Sequence, residues 1–191
     1  MDQLEAVVIG VSAGGLKALV TILAYLPVDY SLPVIIVQHL LEGSDSFLVD
    51  YLNDQVGIRV KEAVDKETIR SGFVYVAPPG YHLLVEDDRL FSLSIDPKVN
   101  YSRPSIDVLF DSAAFVFQEK CLGIVLTGAN RDGSEGLRNI KMNGGQAIIQ
   151  DPETAEYNIM PLAAMSAVKA DHILTLDEIG KYLLELQPSN T

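Results

Sequence analysis

Ala6-Val7-Val8-Ile9-Gly10-Val11-Ser12-Ala13-Gly14-Gly15 is the stretch that decides the fold class of this 191-residue chain. Its first six residues are a continuous apolar run rich in β-branched side chains, the pattern of a strand covered on both faces. Its last four are small, and two of them are glycines. Beyond them Leu16, Leu19, Ile22, Leu23 and Leu26 recur at spacings of three and four, which predicts a helix that stops at Pro27. A buried strand turning sharply into a helix opens an α/β unit. Pro33-Val34-Ile35-Ile36-Val37 then reads as a second buried strand, Gln38-His39 leads into a loop, and Phe47 to Leu52 reads as a helix.

From Ile58 to Ile95 the pattern changes to short alternating runs, Gly72 to Ala77, Tyr81 to Glu86 and Arg89 to Leu93, with turn signals at Pro78-Pro79-Gly80 and Asp87-Asp88. These predict an antiparallel excursion. After Pro104 a helix is expected through Val108, Leu109, Ala113 and Val116. Strands at Leu122 to Thr127, Gln146 to Gln150 and His172 to Leu176 then alternate with helices at Glu135 to Met142, Pro161 to Val168 and the C-terminus. The expected fold is a doubly wound, mostly parallel, Rossmann-like α/β sheet with helices on both faces and an antiparallel edge extension. No repeat or linker divides it, so residues 1–191 are read as one domain.

Composition narrows the function. Fourteen Lys plus Arg against 26 Asp plus Glu leave a net charge of −12, which repels phosphate backbones and anionic headgroups, so nucleic acid is excluded as a main partner. No apolar run reaches the length of a membrane span, and Asp2 and Glu5 precede only a short one, so neither membrane insertion nor a secretory leader is expected. The single cysteine, Cys121, cannot form an internal disulfide. A cytoplasmic location is the expectation.

In open parallel sheets ligands bind beyond the carboxyl ends of the strands, at the points where strand order reverses. Gly10-Val11-Ser12-Ala13-Gly14 matches Gly-x-Ser-x-Gly at such a place, directly after a strand and before a helix. A serine hydroxyl is a weak nucleophile and needs a base, normally a histidine oriented by a carboxylate. Of the three histidines, His39 follows the second buried strand and lies at the same sheet edge as Ser12. His172 precedes a strand and belongs to the opposite edge, and His82 falls in the excursion, where its position is not fixed by pattern. Two carboxylates follow parallel strands, Asp132 and Asp151. The glycine-bearing loop around Asp132 slightly favours it, and spacing leaves the choice open.

Taken together, Ile9 to Gly15, Val37-Gln38-His39, Val76-Ala77-Pro78-Pro79-Gly80-Tyr81-His82, Ser102 to Phe110 and Leu126-Thr127-Gly128 through Asp132-Gly133 closely resemble the catalytic domain of the chemotaxis protein-glutamate methylesterase family, CheB. Several blocks in the right order, spanning nearly the whole chain, are far more specific than one pentapeptide. The resemblance implies a catalytic triad of Ser12, His39 and Asp132, with the backbone N–H groups of Ala13 and Ala129 as the oxyanion hole. It implies hydrolysis of glutamyl methyl esters on chemoreceptor helices, with deamidation of certain glutamines as a second activity, and it requires no metal or organic cofactor. Arg103 and Met160 fall in matched blocks and are expected to bind substrate. The implied partner is a methylated chemoreceptor cytoplasmic helix or a similar signalling protein.

Three departures from the family pattern stand out. Ala13 replaces a common threonine, Ala129 a common methionine, and Ile159 the glycine that usually precedes Met160-Pro161. They motivate a competing expectation, a non-catalytic module that keeps the fold and binds a receptor or a methyltransferase. The family enzyme usually carries an amino-terminal receiver domain, whereas Ser12 lies in the first strand here. The expectation is therefore either a piece of a longer protein or a form controlled by a separate receiver or methyltransferase partner.

Overall fold

Strand alternation sorts the centre of the molecule between two cores. The computed structural model describes residues 4–39 and 47–187, so the loop expected directly after His39 lies outside the described residues. In β1 (Ala6–Val11) every residue is buried; Val7, Ile9 and Val11 enter one core while Ala6 and Val8 enter the other. Such two-sided burial is what the unbroken apolar run required.

The chain continues through α1 (Gly15–Leu23), β2 (Val34–Gln38), α2 (Phe47–Gln55), β3 (Arg59–Glu62), β4 (Phe73–Val76), β5 (His82–Val85) and β6 (Phe91–Ser94). It closes with α3 (Ile106–Phe117), β7 (Cys121–Val125), α4 (Ser134–Met142), β8 (Gln146–Gln150), α5 (Ile159–Ala167), β9 (His172–Leu174) and α6 (Leu176–Glu185). Seven strands form one parallel sheet in the order β3-β4-β2-β1-β7-β8-β9. Apolar residues of α1, α2 and α6, such as Leu19, Leu52 and Leu183, cover one face; those of α3, α4 and α5, such as Phe110, Ile140 and Met160, cover the other. The doubly wound, Rossmann-like α/β architecture is the one expected.

The excursion differs from expectation in detail. Of its described strands β5 and β6 alone pair antiparallel, as a separate two-stranded sheet, with an isolated antiparallel bridge from Thr68 to Leu90 beside them. β4 instead inserts into the main sheet, parallel to both β2 and β3.

The order of the sheet sets the site. From β1 the chain steps to β2 on one side and later returns to β7 on the other, so the carboxyl ends of these three strands meet where the winding reverses. The loops that leave them carry Ser12, His39 and Asp132.

Candidate active site

Ser12 stands on a turn that small residues alone permit. The following Gly14 has φ 77 and caps α1, and a Cβ there would lie 2.9 Å from Cβ of Glu156 and 3.1 Å from Oγ1 of Thr127. Left-handed backbone and missing space both demand glycine. The Ser12 N–H donates to the Thr127 carbonyl, tying the turn to the end of β7. Gln38, a polar residue buried at the end of β2, donates from Nε2 to the carbonyls of Ser12 and His39, both at 2.9 Å. One amide thus fastens the two strand ends at fixed separation.

His39 lies between the other two predicted residues. Its Nδ1 is 3.2 Å from Oγ of Ser12 and its Nε2 is 2.8 Å from Oδ2 of Asp132. The predicted histidine and carboxylate therefore converge on the predicted serine, while Asp151 accepts from the Glu153 N–H in its own turn. His82 is buried, its Nδ1 accepting from the Ser105 N–H and its Nε2 donating to the Pro97 carbonyl. His172 opens β9 and is exposed.

Asp132 has no exposed surface, yet it is held as the anion. Oδ2 accepts from the Ile106 N–H at 2.7 Å besides His39; Oδ1 accepts from Oγ of Ser105 at 2.8 Å, Nδ2 of Asn100 at 3.0 Å and the Asp107 N–H at 3.1 Å. Burial alone pushes this carboxyl up; the hydrogen bonds from His39, Asn100 and Ile106 outweigh it and hold it below the ordinary aspartate range. A carboxylate accepts only, so Nε2 of His39 carries the proton and Nδ1 presents its lone pair to Ser12.

Sequence reading missed this supporting ring. Asn100 and Tyr101 have φ 50 and 64, and the Val99 and Ser102 backbones bond each other on both sides of them, a two-residue turn that aims the Asn100 amide inward. That amide also donates to Oδ2 of Asp107 at 2.7 Å. Burial pushes the Asp107 carboxyl up to about 6; the Gly136 N–H it accepts works against that rise, and the nearby Asp132 charge adds to it. A signal for Asn100 existed: asparagine tolerates the left-handed region better than most residues.

Ala13 directly follows Ser12, and Ala129 lies in the loop after β7 that carries Asp132. Among the described residues no backbone carbonyl accepts from either N–H, whereas the neighbouring Gly128 N–H donates to the Tyr157 carbonyl. Two free donors at a helix start and a strand end suit an oxyanion. Met160 is placed otherwise than expected for a substrate contact: it is fully buried, its N–H donates to the Gly128 carbonyl, and its side chain fills the space a Gly128 Cβ would take. It supports the loop from beneath. Nη1 of Arg103 donates to the carbonyls of Ile95 and Asp96, at 2.8 and 3.1 Å, and so braces its own loop.

Ser12 and His39 open into a cavity of about 630 Å³ also lined by Leu16, Val20, Leu48 and Tyr51, with Lys17 and Glu156. Among the described residues no group of three or more His, Cys, Asp or Glu could hold a metal ion, and no helix is long and apolar enough to cross a membrane.

Comparison with known proteins gives the family and the fold. The family model for CheB methylesterase matches residues 7–183. A Leptospira interrogans relative, whose name pairs protein-glutamate methylesterase with protein-glutamine glutaminase, is 51% identical over 186 residues, 97% of this chain and 96% of its own. The protein-glutamate methylesterase/protein-glutamine glutaminase of Clostridium acetobutylicum is 41% identical over 185 residues, 97% of this chain but 54% of that protein. The crystal structure of the Thermotoga maritima CheB methylesterase catalytic domain matches with a TM-score of 0.91 at 35% identity, over 96% of this chain and 99% of that one.

Proposed function

We propose that this chain, which belongs to the CheB methylesterase family, hydrolyses glutamyl methyl esters on a methylated signalling protein through a Ser12-His39-Asp132 triad. The observation that carries the reading is the continuous path from Oγ of Ser12 to Nδ1 of His39 and from Nε2 to a buried, five-bonded Asp132 carboxylate.

Ser12 Oγ attacks the ester carbonyl as its proton passes to Nδ1 of His39. The imidazolium is stabilised by Asp132, which keeps its Nε2 proton directed and does not itself take it up. The carbonyl oxygen becomes an anion beside the Ala13 and Ala129 N–H groups, each such donor being worth about 3 kcal/mol in the transition state. Collapse breaks the bond to methoxide, which leaves as methanol with the Nδ1 proton. Water then attacks the acyl-serine, giving a proton to Nδ1; collapse breaks the acyl bond to Oγ of Ser12, which takes that proton back from Nδ1, and glutamate is released. A glutamine side chain follows the same course with ammonia as the leaving group. Here the usual nitrogens are exchanged: Nδ1 rather than Nε2 serves the nucleophile.

The Ala13 and Ala129 departures leave both backbone donors in place, which supports catalysis over the binding-only alternative. We take the substrate to be a chemoreceptor-type cytoplasmic helix, with a separate receiver or methyltransferase as the regulatory partner. With −12 on the chain, long-range attraction to an acidic helix is weak, so docking rests on local contacts.

The test is methanol release from receptor membranes premethylated with a radiolabelled donor, comparing wild type with Ser12→Ala and His39→Ala. Release is expected from wild type and should fall at least about a thousandfold in both variants, as loss of a triad member does. Near wild-type release by Ser12→Ala overturns the assignment.

A further inference from the structure

Asn130 plays no part in the reaction as written, yet it touches the base. Its Oδ1 accepts from the Asp132 N–H at 3.0 Å, which fixes the amide's orientation and leaves Nδ2 3.1 Å from Nδ1 of His39. That nitrogen is the one 3.2 Å from Oγ of Ser12. Since Asp132 keeps the proton on Nε2, a single lone pair on Nδ1 faces two donors.

We propose that Asn130 is a positioning residue that competes with the Ser12 hydroxyl for the Nδ1 lone pair of His39, restraining the serine until the amide lets go. The inference rests on the triad reading above. Its chemistry is a matter of donors. When the O–H bond of Ser12 breaks and the Oγ electron pair attacks, the new Nδ1–H points at the Asn130 NH2, donor against donor. The amide must turn away, and it can do so only by giving up the Asp132 N–H. Asn130 therefore opposes protonation of His39 both by solvent and by Ser12. The other charged or titratable groups about the ring are Asp132 itself, Asp107 one step behind it through Asn100, and Lys17, Tyr51 and Glu156 lining the shared cavity. None of these contacts Nδ1 among the described residues.

The test follows the rate at which phenylmethanesulfonyl fluoride modifies Ser12 across pH in the full chain. In that step the Oγ–S bond forms, the S–F bond breaks with fluoride leaving, and the serine proton passes to Nδ1. Mass spectrometry locates the adduct. Asn130→Ala should raise the plateau rate about fivefold, the factor one ordinary hydrogen bond contributes, and move the acid limb to higher pH. Asn130→Asp keeps the acceptor for the Asp132 N–H and sets an anion where the donor was, so its acid limb should move further in the same direction. It also supplies the readout if the alanine variant does not fold. Folded variants that keep the wild-type limb and plateau overturn the inference while the triad stands. Absence of a Ser12 adduct in wild type, or an undiminished rate in His39→Ala, overturns the triad and this inference together.

Discussion

Replacing Asp132 by asparagine exchanges one acceptor oxygen for an NH2 group in a site where both oxygens are fully used. An amide nitrogen at the Oδ1 position would face three donors, from Ser105, Asn100 and the Asp107 backbone. At the Oδ2 position it would face two, His39 and the Ile106 N–H, and His39 can answer by moving its proton. The variant should therefore place its NH2 at the Oδ2 position, leave the Ile106 N–H without a partner and draw the imidazole into the Nδ1–H tautomer. Nδ1 then holds a proton toward both Ser12 and Asn130, and no base remains for the serine.

Two magnitudes follow. The orphaned, buried N–H costs about 1–3 kcal/mol, which in a chain of this size lowers the melting temperature by roughly 2–4 °C per kcal/mol. Turnover should fall about ten-thousandfold, the loss a reversed tautomer produces in a serine triad. Methanol release, thermal unfolding and ¹⁵N signals of the imidazole read the three consequences separately. An Asp132→Asn enzyme within tenfold of wild type, or one whose ¹⁵N spectrum still shows Nε2–H, would refute the reasoning.

Met160→Ala should cost about 2–5 kcal/mol as a buried large-to-small change and lower turnover by loosening the Ala129 loop above it, whereas Met160→Leu, by volume, should cost less than about 1.5 kcal/mol; equal melting temperatures for wild type and the alanine variant would contradict this placement. Asp107 makes stability depend on pH. Its carboxyl stands at about 6 against a model-compound 3.8, so between about pH 4 and 6 the native chain keeps a proton that the unfolded chain has lost, and stability falls as pH rises through that window. The difference of about 2 units is on the order of 3 kcal/mol. Asp132, held low, acts in the opposite sense at more acid pH. Urea unfolding of Asp107→Asn should show a flatter slope between pH 4 and 6 than wild type; an unchanged slope would assign the fall to other groups.

The elements that local pattern identified are those whose burial is two-sided or helical. β1, β2, β7 and β8 announce themselves as apolar runs because helices cover both faces. β3 does not: Arg59 is exposed and Lys61 and Glu62 are half-buried at the sheet edge, so its sequence resembles a loop. β4 was readable as a strand, but its parallel pairing with β2 and β3 depends on a crossover that no local window contains. The same division runs through the site. Ser12, His39 and Asp132 follow from strand ends and a family pattern, whereas Asn100, Ser105 and Asp107 reach Asp132 from the Asn100 turn and the start of α3, and Asn130 reaches His39 from within the Asp132 loop. Gln38 was the nearest miss, a lone polar residue ending the apolar run Val34-Ile35-Ile36-Val37, where an unpaired amide would be costly.

That division bears on the departures at Ala13 and Ala129. Besides His39, the groups that set the charge of Asp132 come from the start of α3 and the turn at Asn100, not from Ala13 or Ala129. Side chains lost at Ala13 and Ala129 therefore leave the tautomer of His39 untouched, and the backbone donors that would hold an oxyanion do not depend on them. Asn130 is different, because it lies on the Asp132 loop and contacts the base directly. Variation at Ala13 and Ala129 should alter the fit of the substrate. Variation at Asn130 should alter the base itself, so the pH at which activity sets in reports on that one position.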